Sequence, residues 1–144
     1  MKKRGDIHVG QRRRARELAL QILYQIDIGG LELSEILEHF SPLFKVPEAV
    51  RSFCLAIVDE TLKRKDFIDE IISRSVEKWS LSRLSAVDRN IIRMATGEML
   101  SQEDIPASVT INEAIEIAKK FGSKESGAFV NGVLDRIRRD IGKK

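Results

Sequence analysis

The sequence predicts an all-α fold, and three observations carry that prediction. Apolar residues recur at three- and four-residue steps in almost every segment, which is the spacing of one helix face. No stretch alternates apolar and polar residues strictly enough for a strand, and Gly or Pro punctuates the chain between the periodic segments. Together these give six or seven helices, with no internal repeat and no low-complexity linker.

The first helix carries Ala15, Leu18, Ala19, Ile22, Leu23 and Ile26 on its apolar face and stops at Gly29-Gly30. A short second helix holds Leu33, Ile36, Leu37 and Phe40 and ends before Pro42. Pro47 suits the first turn of a third, where its missing N–H is no loss. That helix turns Val50, Phe53, Cys54, Ile57 and Val58 inward; the pattern continues through Phe67, Ile68, Ile71 and Ile72, with a break near Arg64. Trp79 falls in a connection, "KWSLSRLS". Ser85-Ala-Val-Asp88 reads as a capping box opening a helix whose core stripe is Val87, Ile91, Met94, Ala95 and Leu100. Pro106 breaks the chain again, and Thr110-Ile-Asn-Glu113 reads as a second capping box before Ala114, Ile115, Ile117, Ala118 and Phe121. Gly122 is placed to close that helix in the left-handed conformation. The last helix holds Val130, Val133, Leu134, Ile137 and Ile141.

With 144 residues, 42% hydrophobic and 33% charged, the chain has the composition of one compact globular domain. Residues 1–9 form a basic extension and residues 10–144 the helical domain. Charges interrupt every apolar stretch, so no membrane span and no signal peptide are expected. A single cysteine, Cys54, excludes an internal disulfide and suits the reducing cytoplasm. The net charge of +3 is uneven: residues 1–16 carry seven Lys or Arg against one Asp, leaving the remainder at −3. A basic arm on a mildly acidic body points to nucleic acid or an acidic surface; residues 2–9 taken alone read as a solvated tail, whereas for the arginines at 12–16 the two readings stand level.

Catalysis finds little support. His8 and His39 are isolated, so no metal site is expected. Cys54 lies on an apolar helix face, as an inert buried thiol would. "GSKESG" follows a helix rather than a strand and lacks the spacing of a phosphate loop. No cofactor and no catalytic residue is expected.

The first helix is more informative. Arg12, Arg13, Arg14 and Arg16 crowd its start, where the helix dipole disfavours cations. A bound phosphate would relieve that repulsion by sharing the exposed N–H groups and the guanidiniums. At about 100° per residue, Tyr24 points away from the apolar face, with Arg13, Glu17 and Gln21 on its side. Arg, Gln and an aromatic ring are what single-stranded RNA recognition uses, because unstacked bases need surfaces to stack on. The competing reading is that Tyr24 covers a neighbouring loop. Phe129 lies about 100° off the apolar face of the last helix, beside Lys124 and Ser126. It is either a half-covered boundary residue or a second stacking surface.

Four blocks together resemble the NusB family of bacterial transcription antitermination factors: "RRRARELALQILYQ" (12–25), "WSLSRLSAVDRNIIRMA" (79–95), "DIPASVTINEAIEIAKKFG" (104–122) and "SGAFVNGVLDRI" (126–137). The resemblance implies a fold of about seven helices in two packed small bundles, and binding rather than catalysis. It further implies a heterodimer with NusE, a small-subunit ribosomal protein. The pair would bind single-stranded boxA RNA and assemble an antitermination complex on RNA polymerase, notably on ribosomal RNA operons. Carried over by position, the RNA-binding residues would be Arg12, Arg13, Arg14, Arg16, Gln21 and Tyr24, with Lys124, Glu125, Ser126 and Phe129 as a second patch brought beside the first helix. Asp88, near Arg89, would meet the partner, in competition with its reading as a cap.

Gly97 departs from the family pattern, which has a bulky aromatic there, so local packing is expected to suffer. Lys2, Lys3 and Arg4 either add phosphate contacts or stay disordered. Two other readings remain. One is a protein-binding helical adaptor, or a homodimer whose RNA binding is conditional on dissociation. The other is the N-terminal domain of an RNA methyltransferase, disfavoured because the sequence stops at Lys144.

Overall fold

The structure, a computed structural model, describes residues 9–76 and 84–144. The basic residues Lys2, Lys3 and Arg4 and the connection around Trp79 lie outside the described residues. Within them the chain forms seven α-helices and a short 3₁₀ turn, with no strand: α1 (Val9–Gly29), α2 (Leu33–His39), the 3₁₀ turn (Ser41–Phe44), α3 (Glu48–Lys63), α4 (Lys65–Val76), α5 (Ala86–Ser101), α6 (Ala107–Phe121) and α7 (Ser126–Asp140). The expected all-α architecture is present.

Local chemistry explains most boundaries. Gly30 ends α1 with φ +67°, a left-handed conformation that costs glycine nothing. Arg64 caps α3 and separates it from α4, as its position in the pattern predicts. Pro47 is the N-cap of α3 rather than a first-turn residue. Two expected caps differ from the structure. α6 begins at Ala107 behind Pro106, so Thr110 lies inside the helix, buried, and caps nothing. Gly122 is extended (φ −97°, ψ −164°) rather than left-handed. A side chain there is excluded by space: a Cβ would lie 2.7 Å from Ser126 Cβ and 2.8 Å from the Ala118 carbonyl oxygen.

The two bundles meet along α5. Helices α1, α2 and α3 pack on one side, α4, α6 and α7 on the other, and α5 touches α1, α3, α4, α6 and α7. Every residue from Arg89 to Met99 is buried, so the expected single core stripe on α5 is in fact burial all round. Ala15, Leu18, Ile22, Ile57, Ile91, Ile92, Ile117, Val130 and Leu134 belong to one continuous core. Phe67, expected inside, is 52% exposed.

Gly97 is not a packing defect. A Cβ there would fall inside van der Waals contact with the Thr61 hydroxyl and lie 3.3 Å from the Thr61 Cα. The Thr61 side chain occupies the space a Cβ would need, so a side chain at 97 requires Thr61 to move.

Candidate nucleic-acid interface

Helix α1 starts at Val9, so only Arg12 lies in its first turn; Arg13, Arg14 and Arg16 come after it, where the dipole effect has fallen away. Arg13 and Arg16 meet carboxylates from other helices and Arg14 meets Glu17 of its own helix, so none of the three is left waiting for an anion. Arg16 is 2% exposed and makes a bidentate pair with Glu98 of α5, its Nε 2.6 Å and its terminal nitrogen 2.7 Å from the two carboxylate oxygens. The Thr110 hydroxyl donates to the same carboxylate at 2.5 Å. Arg16 therefore binds the two bundles together and is removed from the surface cluster in which the sequence reading placed it.

Arg13 forms a second bidentate pair with Glu113 of α6, at 3.0 and 2.5 Å. These hydrogen bonds raise its pKa above the ordinary arginine value despite the desolvation that opposes them. Its side chain still keeps 41% of its surface open. Arg14 is 44% exposed and lies 3.5 Å from Glu17, which is itself almost buried beneath it and beneath Lys120 of α6. Glu17, expected on the outer face beside Tyr24, is thus an internal anchor. Arg12 is half-buried with its guanidinium 5.3 Å from the centre of the Phe53 ring, and Arg16 lies at the same distance. Among the described residues, the buried Arg12 Nε has no hydrogen-bond partner.

Farther along α1, Tyr24 is 39% exposed and Gln21 half-buried, with the Gln21 carbonyl accepting from the Gln25 side-chain amide. The outward placement of Tyr24 follows the helical wheel.

The second patch is the turn between α6 and α7. Lys124 and Glu125 are exposed and Phe129 is half-buried. Ser126, by contrast, is 1% exposed; its Oγ accepts from the Ser123 backbone N–H at 2.9 Å and so shapes the turn from inside. That assignment to the contact surface is corrected. Phe129 shares a shallow groove of about 220 Å³ with Leu84, Ser85 and Asp88 at the start of α5.

At that start the Ser85 hydroxyl accepts from the Asp88 backbone N–H at 3.1 Å. Only this half of the expected capping box forms. The Asp88 side chain does not reach back, and among the described residues its buried Oδ1 has no hydrogen-bond partner. Arg89 is the second correction at this site. It is buried and donates to Asp27 at 2.9 and 2.7 Å and to the Leu84 carbonyl at 3.0 Å, so its guanidinium is committed to the protein's own interior. Asp27 also accepts from Asn90 and Arg93, and Arg93 pairs in turn with Asp69 of α4. Burial opposes ionisation of Asp27, yet the Arg89 and Asn90 hydrogen bonds and the charges of Arg89 and Arg93 hold its carboxyl below the usual range.

The described residues contain no group of three or more His, Cys, Asp or Glu placed to hold a metal ion. No helix among them is long and apolar enough to cross a membrane. Burial pushes the Cys54 thiol up to about 12, far from a nucleophile's range.

A model of the NusB family matches residues 13–139. The chain belongs to the NusB family. The transcription antitermination protein NusB of Desulforapulum autotrophicum is 48% identical over 132 residues, covering 90% of this chain and 92% of its own length. That of Desulfitobacterium hafniense is 46% identical over 135 residues, covering 92% and 91%. These NusB relatives are named as antitermination proteins, not as enzymes. Among solved structures, NusB of T. maritima superposes with a TM-score of 0.80 at 44% identity, covering 90% of this chain and 91% of that one. A chain in a crystal structure of antitermination factors NusB and NusE in complex with dsRNA gives 0.82 at 25% identity, covering 90% and 97%.

Sequence reading missed Glu98, Glu113, Glu17, Asp27 and Lys120 as parts of this site. One signal for Glu98 was available: a carboxylate inside the apolar run "IIRMATGEML" needs a buried cation, although sequence did not say which arginine supplies it.

Proposed function

We propose that this protein is a transcription antitermination factor that binds single-stranded boxA RNA as a heterodimer with NusE. The pair would nucleate an antitermination complex on RNA polymerase, notably on ribosomal RNA operons. The observation that carries this reading is the outer side of α1, where Arg13 and Arg14 keep more than 40% of their side-chain surface open and Tyr24 stands exposed on the same helix. Guanidiniums that are already held in place lose little freedom when they meet a phosphate, and an exposed ring offers a base a stacking surface. Arg12, Gln21 and the patch of Lys124, Glu125 and Phe129 extend the contact. Asp88 lines the groove beside Phe129, has a carboxylate oxygen without a hydrogen-bond partner among the described residues, and is assigned to the contact with the protein partner.

Titration of labelled boxA and scrambled RNA, with and without NusE, at several salt concentrations tests this. Neutralising four phosphates of a single strand gives a log–log salt slope of about −3. boxA should bind more tightly than the scrambled RNA, and NusE should widen the gap. Equal binding of both RNAs with NusE present would refute it.

A further inference from the structure

The two RNA-facing patches lie on different helices, and the stretch between them contains Lys120. This residue sits in the last turn of α6, four positions before Lys124, and its Nζ lies 3.1 Å from Glu17 of α1. Its side chain is nonetheless 61% exposed. Beside it, Arg14 reaches the other oxygen of the same Glu17, and Arg13, one helical turn before Glu17, is gripped by Glu113. The α1–α6 seam thus carries three exposed cations around two carboxylates that are each 8% exposed. The negative charge is tucked beneath and the donors face outward. A cation anchored from below by one oxygen keeps its remaining N–H donors for a ligand above, and a strand crossing the seam meets a positive surface.

We propose that Lys120 is a phosphate-binding residue of this seam, carrying a single RNA strand from Arg13 and Arg14 on α1 across to Lys124 and Phe129. Glu17 is the positioning residue that holds Lys120 and Arg14 at the spacing this requires. The inference rests on the RNA-binding reading above and adds a contact to it. The alternative role for Lys120, complementing the C-terminal dipole of α6 and pairing with Glu17, gives it no part in binding.

The experiment measures affinity of the full chain with NusE for a short fluorescein-labelled boxA RNA across a salt series, for wild type, Lys120→Gln, Lys120→Arg and Lys63→Gln. Lys63 is exposed at the end of α3 and serves as the remote control. Each phosphate contact on a single strand contributes about 0.7 to the slope. Lys120→Gln should flatten the slope by about that amount and weaken binding several-fold at low salt, with an unchanged melting temperature. Lys120→Arg should restore both, and Lys63→Gln should match wild type. If wild type binds with the expected slope and Lys120→Gln binds identically, the proposed contact is overturned while the RNA-binding reading stands. If Lys63→Gln flattens the slope as much as Lys120→Gln, the effect is general charge and the contact is overturned. If wild type fails to prefer boxA over scrambled RNA, the parent reading falls and this one with it.

Discussion

Replacing Arg16 with methionine separates a structural arginine from a ligand-binding one. The side chain is 2% exposed and its partner Glu98 1% exposed, joined by two hydrogen bonds of 2.6 and 2.7 Å. Hydrogen bonds to charged groups are worth about 1.5–3 kcal/mol each, so two represent about 3–6 kcal/mol. Breaking one side of a buried pair costs a similar 3–5 kcal/mol, because the surviving charge stays buried without its partner. Glu98 would retain only the Thr110 hydroxyl. With a urea m-value of about 2 kcal/mol per molar, Arg16→Met should lower the unfolding midpoint by about 2 M. Adding Glu98→Gln removes the stranded charge, leaves an acceptor for Thr110 and should recover at least half the loss. Arg14→Met, at an exposed position, should leave the midpoint within about 0.5 M and weaken RNA binding instead, since surface ion pairs contribute about 0–1 kcal/mol. A near-wild-type midpoint for Arg16→Met, together with a reduced RNA salt slope, would refute the assignment of Arg16 to the interior.

Three further outcomes are expected. Gly97→Ala should destabilise by about 1–3 kcal/mol, read by urea melts, because its methyl meets Thr61; Thr61→Ala in the same chain should return part of that, and additive losses would contradict the close approach. Tyr24→Ala should weaken boxA binding by about 1–3 kcal/mol with little change in melting temperature if the ring stacks on a base, whereas a comparable loss of stability would make it a packing residue. The Cys54 thiol is held at about 12 against an ordinary 9.0, so the native state keeps a proton the unfolded chain releases. Its contribution is complete below pH 9 and declines above it, by about 1 kcal/mol per pH unit. The difference in slope between wild type and Cys54→Ala from pH 9 to 10.5 measures it.

The helices and their order were legible because burial of one helix face imposes a period that any stretch of chain displays by itself. The breaks at Gly30 and Pro106 were legible because φ preference and a missing N–H act within a few residues, and the break at Arg64 showed as an interruption of the apolar period. The outward position of Tyr24 also followed, being fixed by rotation along a single helix. The surroundings of α5 did not. Arg89, Asn90, Arg93 and Glu98 fall outside the expected stripe of Val87, Ile91, Met94, Ala95 and Leu100, yet all four are buried, and the partners of Glu98 include Thr110, 12 positions away, and Arg16, 82 positions away.

The same division runs through the candidate site. Sequence alone determined that the chain is helical, that its amino-terminal helix is rich in arginine and that an aromatic ring stands outside on that helix. Only the packed bundles decided which arginines are free. Arg13, Arg14 and Arg16 are near neighbours in the chain, and helix rotation distributes them over different environments: two toward the α6 seam and one into the core against α5. Whether a charge is available to a ligand depends on how much water and how many opposite charges surround it, and those come from residues remote in sequence, so the tertiary structure had to supply the answer.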